Sequence, residues 1–223
     1  MFLSIFEIFK VSVGPSSSHT MGPMLAARRF IEEVSALPLP PGDLSLSVSL
    51  YGSLAFTGEG HGTFRAVLCG LLGITPETYS RDEADTALTT LAHTQRIRVG
   101  LRTVRLDPDA AIIAERGKRL EAHPNAMTFR LLDSAGENVF AETYYSVGGG
   151  FVMTEAEMQA DQAEAPGPDV PYPFATAFEM LKMGKASGLT IAEMKRANEA
   201  SVHDASALDA AIPGGPASGE LTN

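Results

Sequence analysis

The sequence predicts an α+β fold in which a mixed sheet packs against helices and is followed by a linker and short helices. Leu44 to Leu50 alternates between an aliphatic residue and serine, which is typical of a half-buried strand. Met24 to Val34 carries its apolar residues at helical spacing. Ala126 to Leu132 and Asn138 to Val147 bracket a turn sequence, which predicts a β-hairpin. Helices and strands interleaved in this way indicate an α+β domain.

The remaining elements are predicted from the same patterns. A helix begins after Gly62, because the apolar residues there recur at helical spacing until a glycine and a proline end it. We expect a short helix near Asp82 to Ala92, a strand near Arg96 to Leu101 and a further helix near Ala110 to Leu120.

Composition shifts along the chain predict four regions. The stretch after residue 154 is rich in alanine, acids and proline, which is typical of an exposed linker. Thr190 and Glu193 form a capping box for a short helix. The predicted regions are a main domain over 1–154, a linker over 155–170, a helical connector over 171–200 and a disordered tail over 201–223.

Charge and cysteine content exclude several classes of protein. The net charge is −10 and no Lys/Arg-rich run occurs, which argues against nucleic-acid binding and against an anionic membrane surface. Apolar stretches are too short to span a membrane, and the first ten residues lack the pattern of a signal peptide. The lone Cys69 excludes an internal disulfide, fits a reducing cytoplasm and cannot by itself hold an iron–sulfur cluster.

The segment before the first long helix predicts a small ligand site. Its four hydroxyl side chains surround one imidazole at a helix start, where free N–H groups favour an anion. Ordinary N-capping is the alternative, although one cap needs only one hydroxyl. The candidate binding residues are Ser16, Ser17, Ser18, His19 and Thr20.

Two further histidines lie in loops suited to chemistry. His61 is flanked by glycines that permit close approach of a ligand, and it is a candidate general acid/base. The alternative for His61 is a surface histidine without a fixed partner. His123 and Asn125 flank a proline and could add polar contacts, or they could simply form a turn. We predict no metal site, because no His-x-x-x-His spacing links these residues to His19.

The ordered motifs together resemble the N-terminal or β portion of bacterial iron–sulfur L-serine dehydratase. They follow the family's order across residues 1 to about 200. The motifs are Ser12 to Met24, Leu50 to Ala55, Gly60 to Thr63, His123 to Met127, Tyr144 to Phe151 and Pro171 to Phe174. Two positions depart from the family pattern, since Glu59 replaces a lysine and Phe64 replaces an aspartate.

This resemblance implies an enzyme that converts L-serine to pyruvate and ammonia with a four-iron, four-sulfur cluster. The cluster cysteines lie in a catalytic α portion, which we expect this chain to lack because the resemblance stops near Asn198. The chain alone is then inactive, binds L-serine or another small anion, partners the α portion and forms a homo-oligomer. The rival hypothesis is a non-catalytic regulatory module that binds an amino acid or anion.

Overall fold

The computed structural model describes residues 4–8, 10–14, 16–161 and 168–203, and its contacts define two compact units. One unit is Lys10–Ala163, and the other combines Met1–Phe9 with Glu164–Asn223. The helices are α1 (Ile5–Ile8), α2 (Met21–Ser35), α3 (Gly52–Thr57), α4 (Thr63–Leu71), α5 (Arg81–Thr94), α6 (Glu155–Asp161), α7 (Ala177–Ser187) and α8 (Ile191–Val202). The strands are β1 (Ser45–Leu50), β2 (Arg96–Val99), β3 (Arg102–Arg105), β4 (Ile112–Ala114), β5 (Ala126–Leu132), β6 (Asn138–Gly148) and β7 (Phe151–Thr154).

A seven-stranded mixed sheet forms the framework of the larger unit. Its strand order is β2-β3-β1-β5-β6-β7, with β4 pairing beside β1. Strand β1 runs parallel to β3 and β4 and antiparallel to β5. The predicted α+β class with a mixed sheet is therefore confirmed.

The alternating pattern of β1 explains its central position. Leu46, Val48 and Leu50 are buried in the main core. On the opposite face, Ser49 is also buried, and its hydroxyl oxygen accepts a hydrogen bond from Arg130 Nη1 at 2.8 Å. A small hydroxyl on the second face thus lets β1 lie inside the sheet with its polar group satisfied.

Helix α2 buries one complete face against the sheet, as its helical spacing predicts. Phe30 is fully buried and stacks on Phe129 with ring centroids 5.3 Å apart. Phe140 lies 5.7 Å from Phe30 on the same side. Aromatic pairs at such separations contribute to stability beyond their buried area.

One prediction about the middle of the chain is corrected, and one short helix nearer the start was missed. The helix predicted near residues 110–120 is wrong, because Ile112 to Ala114 forms β4 and pairs in parallel with β1. Pairing with a central strand outweighs local helix propensity over so few residues. The short helix α3 directly after β1 has no counterpart in the sequence prediction.

The segment predicted as a linker begins with helix α6, whose Met158 packs against Tyr51 and Tyr145. In the smaller unit, the predicted capping box of Thr190 and Glu193 is confirmed. A second box, at the start of α7, follows the same pattern. The predicted tail beyond residue 203 lies outside the described residues.

The smaller unit is held together by Glu199, which is buried on α8. Its carboxylate accepts hydrogen bonds from Ser4 Oγ at 2.7 Å and from the Ile5 N–H at 2.8 Å. Two donors of this kind satisfy a buried carboxylate. None of the helices in the described part of the chain is long and apolar enough to cross a membrane.

Candidate functional site

The serine-rich segment forms a compact turn that leads into α2. The Ser16 carbonyl accepts from the N–H groups of His19 at 3.1 Å and Thr20 at 2.9 Å. The Ser17 carbonyl accepts from the Gly22 N–H at 2.8 Å, and the Thr20 hydroxyl donates to the Ser16 carbonyl at 2.6 Å. These bonds occupy three backbone donors near the helix start and the buried Thr20 hydroxyl. The groups left to meet a ligand are mainly serine hydroxyls and the imidazole.

Four hydroxyl groups surround the His19 imidazole. On one side, Nδ1 lies 3.1 Å from Ser18 Oγ and 3.4 Å from Ser16 Oγ. On the other side, Nε2 lies 3.0 Å from Ser53 Oγ and 3.1 Å from Thr57 Oγ1. Hydroxyls both donate and accept, so either tautomer of His19 can be satisfied here. The predicted gathering of Ser16, Ser18 and His19 into one cluster is present in the structure.

The second histidine, His61, lies beside His19. The two ring centroids are 5.0 Å apart. His61 Nδ1 is 2.8 Å from the Thr57 carbonyl oxygen, which only accepts, so Nδ1 carries a hydrogen and the neutral ring keeps its lone pair on Nε2. His61 is exposed, so that lone pair is accessible to a reactant. Burial lowers the pKa of His19 below 6.5, and the charge of a protonated His61 lowers it further.

Helix α3 supplies the two hydroxyls that sequence reasoning missed. Ser53 and Thr57 are four residues apart, which places them on one face of the helix. Gly52 begins the helix at φ +53°, and a side chain there would overlap the Pro124 carbonyl oxygen. A glycine directly after a strand, followed by hydroxyls at i and i+4, is the signal that could have revealed this face.

The loop of His123 and Asn125 adjoins α3. The Pro124 carbonyl accepts from the Ser53 N–H at 2.9 Å. His123 Nδ1 accepts from the Asn125 N–H at 3.1 Å, so the neutral ring carries its hydrogen on Nε2. Asn125 Nδ2 donates to the Ser146 carbonyl at 3.2 Å. Burial lowers the pKa of His123. The two predicted residues are thus fixed by local bonds, and backbone bonds connect them to the His19 cluster.

A further polar group missed by sequence reasoning lies at the start of α2. Ser146 is fully buried, and its Oγ has no hydrogen-bond partner within the residues that the structure describes. Its side chain packs against Gly22, where a Cβ would lie 2.8 Å from Ser146 Cβ. A buried hydroxyl without a partner costs free energy, so Ser146 is a candidate contact for a bound group.

The two departures from the family pattern do not disturb this geometry. Phe64 is partly buried and packs against the main core. Glu59 lies 3.7 Å from Arg116 and is largely exposed. The site therefore tolerates both residues structurally.

The residues of this chain do not fit an iron–sulfur cluster. Cys69 is the single cysteine and is fully buried, whereas such clusters are held by several thiolates. Across residues 4–8, 10–14, 16–161 and 168–203, no group of three or more His, Cys, Asp or Glu side chains could hold a metal ion.

Sequence comparison relates the chain to known proteins. Residues 4–157 match the family described as "Serine dehydratase beta chain". The L-serine dehydratase of Streptomyces coelicolor is 40% identical over 205 residues, which cover 92% of this chain and 45% of that relative. L-serine dehydratase 1 of Escherichia coli is 34% identical over 209 residues, which cover 93% of this chain and 45% of that relative. The chain thus spans less than half the length of these relatives.

The family match covers well over half of the chain, and it includes the turn before α2, α3, the His61 loop and the His123 loop. The resemblance carried by the ordered motifs is therefore confirmed, and this chain belongs to the serine dehydratase beta chain family.

Proposed function

We propose that this chain supplies the β portion of an L-serine ammonia-lyase, which converts L-serine to pyruvate and ammonia. The names of the relatives support this reaction. The observation that carries the proposal is the His19–His61 pair, with ring centroids 5.0 Å apart among serine and threonine hydroxyls. Imidazoles are common general acids and bases in enzymes, and hydroxyls can bind a carboxylate.

The rest of the enzyme belongs to a catalytic α portion. We assign the four-iron, four-sulfur cluster of the family to that portion, because Cys69 alone cannot hold it. The proposal includes self-association of the complete enzyme. It also includes a cytoplasmic location, which the lone buried cysteine supports.

His61 is the proposed acid/base group. The reaction removes the Cα proton of L-serine and expels its β-hydroxyl as water, and the resulting enamine is hydrolysed to pyruvate and ammonia. The Thr57 carbonyl fixes the His61 tautomer, so Nε2 is the atom that exchanges the proton. Its exposure leaves room for a second protein portion to reach the bound substrate.

His19 and the adjoining hydroxyls are the proposed carboxylate site. Ser16, Ser17 and Ser18 are only partly buried, and their hydroxyls can rotate toward a ligand. Thr20 supports the turn, since its hydroxyl is already bonded to the Ser16 carbonyl. His123 and Asn125 add polar contacts beside Ser53.

Reconstitution tests the catalytic proposal. Pyruvate release from L-serine is measured under anaerobic, iron-replete conditions for this chain, for the separately expressed part of the Streptomyces coelicolor relative that this chain does not cover, and for the mixture. We expect activity only in the mixture. His61→Gln should lower kcat by about 100-fold or more, as loss of a general acid/base does.

The control variant is His93→Gln, at an exposed position near the end of α5. Its activity should equal that of the unmodified chain. Full activity of His61→Gln would refute the assigned role. An inactive mixture, with that part of the Streptomyces coelicolor relative active beside its own β portion, would refute the catalytic function of this chain.

A non-catalytic binding module is the second candidate. The observation that favours it is that the His19 cluster is complete within this chain, whereas the cysteines for a cluster are absent from its sequence. Calorimetric titration of the chain alone with L-serine tests this module. Saturable binding that His19→Ala abolishes, together with an inactive mixture, would favour it over the lyase.

A further inference from the structure

A cavity lies beside the His61 loop, and His61 and Gly62 are among its lining residues. It has a volume of about 440 Å³ and is bordered by the loop at Val13, by α2, by α4 and by the segment that enters α5. Ligand pockets in proteins typically measure about 300–1,000 Å³ and are mostly apolar with a few polar groups. The cavity has this size, and its walls have this composition.

The floor of the cavity is apolar. Met24, Ala66 and Cys69 are buried and pack together in one cluster, with Val13 packed against it. Burial raises the pKa of the Cys69 thiol, which therefore stays neutral and acts as part of the apolar wall. A ligand that fills this floor needs an apolar body.

The rim of the cavity carries two guanidinium groups and a phenol. Arg65 is fixed by Asp85, with Nη2 2.7 Å from Oδ1, and it donates to Tyr79 Oη at 3.3 Å. Because Tyr79 Oη accepts these bonds, its own hydrogen is free to donate to a ligand. Arg81 is exposed and forms no ion pair within the described part of the chain. Among the described residues that line the cavity, none is an aspartate or a glutamate.

We propose that this cavity binds a small monocarboxylate with an apolar body. The carboxylate would pair with the Arg81 guanidinium and accept a hydrogen bond from the Tyr79 hydroxyl, while the apolar body rests on Met24, Ala66 and Cys69. An amino acid fits less well, because no described lining residue carries a carboxylate to pair with its ammonium group, and the nearby Asp85 carboxylate is already held by Arg65. L-serine also lacks an apolar body to cover the floor.

Occupancy of the cavity would reach the His19 cluster. His61 and Thr20 line both the cavity and the cluster. A ligand bound there would therefore lie beside the proposed acid/base group and change the KM for L-serine in the reconstituted enzyme. This consequence rests on the proposed function, whereas binding itself does not.

Calorimetric titration of the full chain with 4-methylpentanoate tests the site. We expect saturable binding with a dissociation constant of about 1 mM or below, which is typical of a good ligand of this size. Arg81→Gln should weaken binding about tenfold or more, because it removes a charge-assisted bond. Tyr79→Phe should weaken it about threefold or more. Arg98→Gln, at an exposed position on β2, is the matched control and should bind unchanged.

The neutral analogue 4-methylpentanamide and L-serine complete the experiment. We expect the amide to bind at least about tenfold more weakly than 4-methylpentanoate, since it offers no carboxylate. We expect L-serine to bind at least as weakly when it is titrated into His19→Ala, which removes the proposed serine site, because the cavity does not match its ammonium group. Equal binding of the amide, or full affinity in Arg81→Gln, would overturn the proposal. No saturable binding at ten times the expected dissociation constant would overturn it too. None of these three results depends on pyruvate release, so failure of the cavity proposal is distinct from failure of the lyase proposal.

Discussion

The two ends of α2 differ in their surroundings, since one end packs among apolar side chains and the other lies among polar groups. Toward the C-terminal end, Phe30 is fully buried and packs against Phe129 and Phe140. At the N-terminal end, the His19 imidazole meets hydroxyls on both sides, and the buried Ser146 hydroxyl has no partner within the described residues. One end is a closed core, and the other end keeps polar groups available.

This difference separates stability from function along one helix. Apolar contacts at the Phe30 end contribute free energy of folding without offering any chemistry. The His19 end contains buried polar groups, which cost free energy unless they are fully bonded. Such a cluster is typical of a binding or catalytic site, where stability is given up for function.

The largest expected effect is at the apolar end. Phe30→Ala should lower the free energy of unfolding by about 3–5 kcal/mol, because it leaves a cavity in a closed core. Urea denaturation measures the change. Phe56→Ala is the control, since Phe56 is 60% exposed and its loss should change stability by less than about 0.5 kcal/mol. Similar losses for both variants would remove the contrast between closed core and surface.

The next effect tests the close contact at the polar end. Gly22→Ala places a Cβ 2.8 Å from Ser146 Cβ and onto the Ser146 hydroxyl, which forces one of them to move. We expect about 1–3 kcal/mol of destabilisation from this overpacking, measured by urea denaturation.

The double variant Gly22→Ala/Ser146→Gly makes the cause explicit. Removing the Ser146 side chain leaves the Ser17 carbonyl oxygen at 3.5 Å as the nearest remaining neighbour of the new methyl group, which is an ordinary contact. The two substitutions should therefore be non-additive, with a favourable coupling of about 1 kcal/mol or more. Additive losses would show that contact with the Ser146 side chain does not cause the destabilisation in Gly22→Ala.

A smaller effect is expected where α2 meets α6. Arg29 pairs with Glu157 at 2.9 Å, and this bond lowers the pKa of Glu157 to about 2. Because the folded pKa lies below the unfolded value near 4.5, the pair stabilises the fold above about pH 4.5 and loses that contribution as the pH falls toward 2.

Glu157→Gln should cost about 1 kcal/mol at pH 7, since solvent screens a side chain that is 45% exposed. It should also flatten the loss of stability between about pH 5 and pH 2. Glu32→Gln, which removes the more exposed Arg28–Glu32 pair, is the control and should cost less. An equal cost for both variants would mean that the bond between α2 and α6 adds nothing specific.

The closed end of α2 could be predicted from sequence, and much of the polar end could not. Phe30 and Ile31 belong to a buried helix face that the sequence reveals. Burial of one face of a helix places apolar residues at helical spacing along the chain. The alternating residues of β1 likewise predict a strand, because burial of one strand face makes every second residue apolar. His19 and the serines beside it were found because they are adjacent in sequence, and the family motifs added their context.

Ser53 and Thr57 were missed because nothing local links them to His19, which lies 34 and 38 residues earlier in the chain. Ser146 packs against Gly22, which is distant in sequence, and its hydroxyl has no partner within the described residues; no periodicity in the sequence reveals either fact. Strand β4 was misassigned for a related reason, since its three residues become a strand only beside β1. Contacts distant in sequence thus account for what was missed.

The smallest expected effect concerns the ionisation of His19. Burial and the neighbouring His61 lower the pKa of His19 in the folded state below 6.5, while the unfolded chain keeps the usual value. Below about pH 6.5 the unfolded state therefore binds more protons, so stability should fall as the pH decreases through this window. His123 contributes in the same direction through burial. His19→Gln should reduce the slope of unfolding free energy against pH between about pH 7 and pH 5. This pH window lies above that of Glu157, so urea denaturation at closely spaced pH values separates the two contributions.

An unchanged slope in His19→Gln would mean that the hydroxyls around His19 stabilise its protonated form as well as its neutral form. The polar end of α2 would then not differ from the Phe30 end in how its stability responds to pH.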